Sequence, residues 1–213
     1  METTFARSTT FRSEAELREA FGSDRIFFCS RAEVTLSGRV VLGVDVSFAG
    51  VCRIEGPAEV GAGCQLATVA LGAGANIRPY SILSEVAVGE GAVIGPFAFL
   101  RDGVTAGDRC ILGSHVEAAR SRFGSGVKVS HRAFIGDAEV DDDVILGAGT
   151  TFCNFDGEDR RFTRVGRGVS VGSGSLLVAP LTIGDGAVIG AGSTLTRDVP
   201  AGARVIQKRT SGA

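Results

Sequence analysis

An apolar residue recurs every six positions, with a few steps of five, from Leu36 to Leu195. The series has 27 positions, and all but Ala106 and Ala118 hold Leu, Ile, Val or Phe. A period of six matches neither the α-helix nor the alternation of a single strand. It fits a short flat strand followed by a corner, three of which make one triangular coil. Such coils stack with parallel strands about 4.8 Å apart, and each coil buries its neighbour's apolar face.

Glycine follows the same period. The chain has 31 glycines in 213 residues, and most of them fall directly after the large apolar residue or at the fourth position of the repeat. Corners need a residue that tolerates a left-handed backbone or a close approach of two chains, and glycine does both. The fifth position is usually small, which suits a side chain pointing inward beside a corner. The pattern predicts an all-β fold, a single parallel β-helix of about nine coils over residues 36–200.

Three segments fall outside this regular series. Residues 1–35 form an N-terminal segment in which Ser13–Glu16 has a capping-box pattern and Gly22 is a stop signal, so we predict a short helix over 14–21 that covers an end of the prism. Residues 158–164 interrupt the repeat and are predicted to loop out from a corner, where loops often carry function. Residues 201–213 are a C-terminal tail.

Composition excludes several functional classes. The net charge of −2 gives no reason to expect binding to nucleic acid or to an anionic membrane. No apolar stretch approaches the length of a membrane span and the N-terminus lacks a secretory signal, so we expect a cytoplasmic protein. The five cysteines are scattered without a CxxC pair, which indicates neither a zinc site nor a disulfide framework.

Four segments carry a more specific resemblance: GPFAFLRDG (95–103), SHRAFIGDAEV (130–140), LGAGTTFCNFDG (146–157) and LLVAPLTIGDGAVIGAGSTLTRDV (176–199). They resemble the acetyltransferase domain of bacterial bifunctional N-acetylglucosamine-1-phosphate uridyltransferase, a hexapeptide-repeat acyltransferase, over about residues 36–209. The nucleotidyltransferase domain of that family has no counterpart in this chain. The resemblance implies a left-handed β-helix, acetyl-CoA as co-substrate, no metal in the acetyl transfer, and a homotrimer with sites between neighbouring prisms.

The resemblance assigns roles on the acceptor side of the site. His131 falls on the catalytic base, which takes a proton from the attacking amine. Asn154 falls beside the reacting groups, where its amide could stabilise an oxyanion, although an asparagine also suits a left-handed corner. Arg101 matches an arginine that holds a sugar phosphate, and Glu117 matches a glutamate that contacts the sugar. Arg160 keeps the positive charge of a lysine in the inserted loop, unless the arginines of that loop are only a solvated charge run.

The donor side is implied in the same way. Ser173, Ala191 and Lys208 match positions that line the acetyl-CoA groove. Arg197 and Arg209 are candidates for contacts with its phosphates.

Four positions depart from the family pattern. A lysine is replaced by Ala119, two tyrosines by Phe134 and Phe155, and a sugar-contacting asparagine by Ile145. Each change removes a polar group from the acceptor pocket, and a lost charge-assisted hydrogen bond costs on the order of 1.5–3 kcal/mol. We therefore expect an acceptor that differs from glucosamine-1-phosphate.

These observations favour an acetyl-CoA-dependent N-acetyltransferase that acts on an amino sugar, either free or as a sugar phosphate or nucleotide sugar. His115, on the coil before His131, is a candidate for substrate contact or for a surface or interface position. One alternative is a non-catalytic paralogue that binds a sugar nucleotide or a partner protein. Another is a metalloenzyme of the γ-carbonic-anhydrase type, which needs three histidines where this chain has two.

Overall fold

All 27 apolar positions of the six-residue series are buried in the computed structural model, which describes residues 1–206. The chain forms a left-handed parallel β-helix of about ten coils with one α-helix, close to the nine coils predicted. The helix α1 spans Glu14–Phe21. The strands are β1 (Glu2–Phe11), β2 (Ile26–Leu42), β3 (Val46–Glu55), β4 (Ala58–Val60), β5 (Gln65–Leu71), β6 (Asn76–Ile77), β7 (Ile82–Val88), β8 (Val93–Ile94), β9 (Phe99–Ala106), β10 (Ile111–Ser114), β11 (Glu117–Phe123), β12 (Lys128–His131), β13 (Phe134–Val140), β14 (Ile145–Leu146), β15 (Thr151–Cys153), β16 (Thr163–Val165), β17 (Ser170–Val171), β18 (Leu176–Val178), β19 (Leu181–Ile183), β20 (Val188–Ile189), β21 (Thr194–Leu195) and β22 (Arg204–Val205).

Parallel pairing between successive coils keeps the apolar ladder in register. Leu66 pairs with Leu83, and Leu83 pairs with Leu100. The next coil contains one extra residue, and Leu100 pairs with Ala118 before the ladder continues to Ile135. Because each apolar side chain stacks on its equivalent one coil away, the core is a continuous column along the helix axis.

Two of the three corners of the prism matter for the site, and both carry residues in the left-handed region. Corner A is the column Tyr80, Phe97, His115, Arg132, Gly149, Gly174 and Gly192. Corner B is the column Thr68, Glu85, Asp102, Arg120 and Asp137. The face between them, called face AB, is formed by the residues that follow corner A on each coil, such as Phe99–Arg101 and Phe134–Gly136. Left-handed backbone is uncommon outside glycine, so these polar and aromatic corners are held by the surrounding ladder.

The N-terminal helix has the predicted limits and the predicted caps. Ser13 accepts a hydrogen bond from the backbone N–H of Glu16, whose carboxylate accepts from the Ser13 backbone, and Gly22 ends the helix at φ +60°. Leu17 and Phe21 are buried, and Phe5 of β1 lies against Phe21 with ring centroids 6.0 Å apart. The helix and β1 therefore cover apolar surface that would otherwise be exposed.

The β-helix starts earlier than the six-residue series indicates. Parallel pairing begins with Ile26 against Val46, ten residues before the predicted start at Leu36. Strand β2 also pairs antiparallel with β1, with Phe11 opposite Val34. Its buried residues there alternate in steps of two, at Ala32, Val34 and Leu36, so the coil does not show the period of six. The parallel ladder also continues past residue 200, because β22 pairs with β20.

Candidate functional site

A cleft of about 630 Å³ lies on face AB, beside the loop that interrupts the repeat. It is lined by Arg101, Arg120, Phe134, Asn154, Phe155, Glu158, Asp159 and Arg160. Three residues predicted from separate segments of the sequence, Arg101, Asn154 and Arg160, therefore line one cleft. The fold brings them together because β9, which carries Arg101, lies on face AB two coils from β13. Asn154 and Arg160 belong to the segment that leaves the prism directly after β15.

The inserted loop is a tight hairpin. Phe155 and Arg160 form an antiparallel bridge, and the Asp156 carboxylate accepts hydrogen bonds from the backbone N–H groups of Glu158 (3.0 Å) and Asp159 (2.8 Å). Arg161 Nε donates to Asp156 Oδ2 at 2.6 Å. The pKa of Asp156 is held well below its usual range, first by the Asp159 N–H and then by Arg161. This bracing places Phe155 and Arg160 at the mouth of the cleft.

The arginines of this loop have different surroundings, although the sequence shows them as one basic run. Arg161 is bonded to Asp156 inside the hairpin. Arg164 lies beyond it, over the ring of Phe162 and 3.7 Å from the Glu139 carboxylate. Arg160 is the arginine of the run that lines the cleft.

A chain of charge-assisted hydrogen bonds runs along the corner-B side of the cleft. Arg101 Nη2 donates to Glu117 Oε1 at 2.9 Å, and its Nη1 donates to Asp102 Oδ2 at 2.5 Å. Asp102 Oδ2 also accepts from Arg120 Nη1 at 2.9 Å. Arg120 is bonded to Asp137 through two further contacts, Nε to Oδ1 at 2.6 Å and Nη2 to Oδ2 at 3.0 Å.

Asn154 joins the end of this chain. Its amide nitrogen Nδ2 donates to Asp137 Oδ2. Gly136 makes the contact feasible, since a Cβ there would lie 2.5 Å from Asn154 Nδ2 and 2.9 Å from Phe134 Cζ. The pKa of Asp137 is lowered, chiefly by Arg120 and also by Asn154, although partial burial opposes the shift. The backbone of Asn154 is not left-handed, so a corner conformation does not explain why an asparagine occupies this position.

The four residues that depart from the family pattern lie in different parts of the structure. Phe134 and Phe155 line the cleft, and Ala119 is fully buried in β11. Ile145 is exposed on β14, on the face that precedes corner A. Two apolar rings therefore form cleft walls, and Arg120, the residue after Ala119, adds a positive charge to those of Arg101 and Arg160. The signal for Arg120 was its spacing of 18 residues from Asp102 and 17 from Asp137.

His131 and His115 lie at corner A, on the other side of face AB. His131 ends β12, is exposed, and pairs with Ser114. His115 stacks on Phe97 with centroids 5.2 Å apart, and its Nδ1 is 2.7 Å from Ser114 Oγ. Phe97 in turn stacks on Tyr80 at 5.4 Å. His115 is thus part of an aromatic stack, and neither histidine lines the cleft of the single chain.

The predicted donor residues continue the column of His131. The pairing of β12, β14, β17 and β20 aligns His131 with Ala148, Ser173 and Ala191 on successive coils. Hydrogen bonds confirm this alignment, with Gly174 N–H donating to the Ala148 carbonyl and Gly192 N–H donating to the Ser173 carbonyl, each at 2.8 Å. On the described coils that follow His131, corner A therefore carries only small side chains, and no large side chain projects from this edge of the prism.

The remaining predicted residues are peripheral or undescribed. Arg197 is exposed beyond β21. Lys208 and Arg209 lie outside the described residues. Within residues 1–206, no group of three His, Cys, Asp or Glu side chains is placed to hold a metal ion. No α-helix in the same part of the chain is long and apolar enough to cross a membrane.

Buried cysteines face the core. Burial raises the pKa of Cys52, Cys64 and Cys110, the last to about 11. These thiols remain protonated near neutral pH, so they serve as small core residues and not as nucleophiles.

Comparison with known proteins agrees with this architecture. A family model described as "Bacterial transferase hexapeptide (six repeats)" matches residues 162–197. The solved structure of LpxA from Acinetobacter baumannii superposes with a TM-score of 0.57 at 18% identity, over 84% of this chain and 67% of that one, a likeness that shows the fold. The chain is a left-handed parallel β-helix built from six-residue repeats.

Its sequence is similar to part of bifunctional protein GlmU, which confirms the resemblance identified in the sequence. The identity is 45% over 167 residues with the protein from Alkalilimnicola ehrlichii, covering 78% of this chain. It is 40% over 173 residues with the protein from Acinetobacter baylyi, covering 81%. The chain spans 34% and 38% of the length of these two relatives.

Proposed function

We propose that this protein is an acetyl-CoA-dependent N-acetyltransferase whose acceptor is an amino sugar. The observation that carries the proposal is the assembly of Arg101, Asn154 and Arg160 in one cleft, with His131 at the next corner of the same coils. Similarity at 40–45% identity to bifunctional GlmU proteins supports the same class of chemistry.

The donor fits the edge at corner A. Ala148, Ser173 and Ala191 leave a shallow track along three coils, with glycine at the corner position beside each of them. A narrow extended chain such as the pantetheine arm of acetyl-CoA could lie along it and present its thioester near His131. Arg197, Lys208 and Arg209 are proposed contacts for the phosphates.

The acceptor would occupy the cleft on face AB. His131 and Phe134 are three residues apart and flank corner A. An amine packed against the Phe134 ring, which forms a wall of the cleft, would therefore approach the thioester at the end of the donor track. His131 would take the amine proton as the C–N bond forms, and the imidazolium would return a proton to the sulfur as the C–S bond breaks. Arg101 and Arg160 would hold polar groups of the sugar, and Glu117 would contact it beside Arg101.

A homotrimer completes this proposal, because a neighbouring prism packed on corner A would enclose the donor track. The exposed stack of Tyr80 and Phe97, 57% and 50% exposed, supports an interface at this corner, since large aromatic rings are enriched in protein contacts. Sedimentation analysis should give three times the chain mass of 21.9 kDa. A monomer would contradict the shared site.

Turnover is tested by release of free thiol from acetyl-CoA in the presence of a panel of free, phosphorylated and nucleotide-linked amino sugars. His131→Ala should abolish release, whereas Lys128→Ala, an exposed change on the same strand, should not.

The donor track is tested by Ala191→Phe, which should weaken coenzyme A binding at least tenfold. Thr194→Phe, on the next face of that coil, is its control.

The second candidate function is a non-catalytic paralogue that binds a sugar nucleotide or a partner protein. The two apolar walls Phe134 and Phe155 and the buried Ala119 support it, because each stands where the related family has a polar side chain. Absence of thiol release, combined with no thermal stabilisation by acetyl-CoA, would favour this candidate over the enzyme.

A further inference from the structure

Arg120 lines the cleft and is bonded to Asp137 behind it, yet the reaction proposed above gives neither residue a role. Both occupy corner B in the left-handed region, with φ of +50° and +52°. Arg120 uses three of its guanidinium nitrogens, two toward Asp137 and one toward Asp102. The Asp137 carboxylate is only 15% exposed, so this is a partly buried bidentate pair with a fixed geometry.

The chemistry of Asp137 fixes which end of the Asn154 amide faces it. An aspartate is ionised near neutral pH and can then only accept hydrogen bonds, and Arg120 lowers the pKa of Asp137 further. The neighbouring amide must therefore turn its nitrogen toward Asp137, as observed. The opposite orientation would place the amide oxygen against the carboxylate. The carbonyl oxygen Oδ1 of Asn154 is left for other partners, and Asn154 lines the cleft.

Space around the amide is equally restricted. Gly136 lies against Asn154 Nδ2 without room for a Cβ, and the ring of Phe134 closes the same side. Asn154 is thus held by one directional hydrogen bond and by steric contact. Rigid support of this kind is what keeps a group within the narrow geometric limits that catalysis needs.

We propose that Arg120 and Asp137 are positioning residues that hold the Asn154 carbonyl oxygen toward the cleft, where it accepts a hydrogen bond from the acceptor amine. This inference rests on the proposed N-acetyltransferase function. It differs from the oxyanion role expected from the sequence, because the amide nitrogen is bonded to Asp137. In this arrangement the lone pair of the amine nitrogen is directed away from Asn154, so the amine would be aligned for attack on the thioester carbonyl.

The test compares Asp137→Asn, a nearly isosteric change, with Arg120→Met and Arg120→Lys. Arg122→Met, an exposed arginine on the same strand, is the matched control. With acetyl-CoA and the best acceptor, Asp137→Asn and Arg120→Met should lower kcat by about 10- to 100-fold, as expected for a misplaced reacting group. The Kd for acetyl-CoA should stay within about twofold of wild type, and Arg120→Lys should recover part of kcat. Thermal melting of each variant reports any general loss of structure.

Labelling with ¹⁵N-asparagine gives a second readout that does not need turnover. The chain contains two asparagines, Asn76 and Asn154, so its side-chain amides give two pairs of signals, which Asn154→Ser assigns. Asp137→Asn adds a third pair of signals from the introduced amide, which comparison with wild type and Arg120→Met identifies. Both variants should shift the Asn154 pair and leave the Asn76 pair in place, since Asn76 donates to Glu59 at another site.

The outcomes separate the two proposals. An Asn154 signal that does not move in Asp137→Asn, or a kcat that matches the Arg122→Met control, would overturn the positioning role. Wild-type protein that releases no thiol with any amine would overturn the proposed function, and the amide signals would still decide whether Asp137 holds Asn154. A shifted Asn154 signal together with a selective loss of kcat would establish both.

Discussion

Arg101 and Glu117 are bonded to each other across neighbouring coils, with 2.9 Å between Arg101 Nη2 and Glu117 Oε1. Both residues were expected to contact the substrate, one through a phosphate and one through the sugar. In the free chain the Arg101 guanidinium is already shared between Glu117 and Asp102. An anionic group on the acceptor must therefore compete with two carboxylates for this arginine.

Glu117→Gln should consequently change the preference between acceptors. Loss of one negative charge leaves Arg101 freer to bind a phosphate, and a partly exposed pair of this kind contributes about 0.2–1 kcal/mol. We expect the KM ratio of phosphorylated to unphosphorylated amino sugar to fall by about two- to fivefold. Steady-state kinetics with both acceptors measures this ratio, with Glu19→Gln on α1 as control. A ratio that rises would show that Arg101 does not face the acceptor.

The ion pair at corner B makes a specific prediction about acid stability. The folded-state pKa of Asp137 lies below its ordinary value of 3.8 because Arg120 and Asn154 favour the ionised form. A group with a depressed folded pKa contributes stability that is present above the unfolded value and lost as pH falls through the folded one. The contribution of this pair should therefore be fully present at neutral pH and be lost progressively as pH falls below the ordinary value of 3.8.

Arg120→Met tests that contribution. At pH 7 the variant should have a free energy of unfolding lower by about 1–2 kcal/mol, as expected for a charge-assisted, partly exposed contact. The gap from wild type should close progressively as pH falls below the ordinary value of 3.8, because Asp137 becomes protonated in both proteins. Chemical denaturation across this range measures it. The gap between wild type and Arg122→Met should not depend on pH in the same way.

The spacing of the apolar residues predicts most of the fold because the inward positions report burial directly. Leu36 to Leu195 lie in the core, and the capping box at Ser13 predicts the helix to the residue. The coil that begins at Ile26 was missed because its strand pairs on both sides and alternates in steps of two. A search for apolar residues spaced by six does not detect a strand whose buried residues alternate in steps of two.

The site was predictable only where a residue type matched a family motif. Arg101, Asn154 and Arg160, each of which matches a family motif, line one cleft, and their roles stay predictions. Arg120 was missed because it matches no family motif. Its spacing from Asp102 and Asp137 corresponds to one coil, but the direction of its side chain depends on a left-handed corner. The cleft also does not include His131, which lies around corner A. In the proposed function, the relation between this base and the acceptor would therefore depend on the proposed trimer.

The N-terminal cap should contribute substantially to stability. Leu17 is fully buried between α1 and the β-sheet, and a Leu→Ala change at such a site costs about 2–5 kcal/mol because it leaves a cavity. Leu17→Ala should therefore lower the free energy of unfolding by this amount in chemical denaturation. Glu19→Ala, an exposed change on the same helix, should have an effect within about 0.5 kcal/mol. Equal effects would mean that the helix does not cover the core.

Gly136→Ala should damage the cleft more than the fold. The added Cβ would lie 2.5 Å from Asn154 Nδ2, so the amide must move away from Asp137. Gly72→Ala is the matched control, because its Cβ would also be crowded, 3.0 Å from the backbone nitrogen of Glu90, at a corner far from the cleft. Both variants should melt at lower temperature than wild type, since neither site has room for a methyl group.

Only Gly136→Ala should lose turnover, by about 10- to 100-fold in kcat, with little change in the Kd for acetyl-CoA. The physical reason is that Asn154 would no longer be held against Asp137, while the donor track at corner A lies on the other side of face AB. Thiol-release kinetics and calorimetric titration with coenzyme A measure the two effects separately. A Gly136→Ala variant as active as Gly72→Ala would mean that the Asn154 position does not limit the reaction.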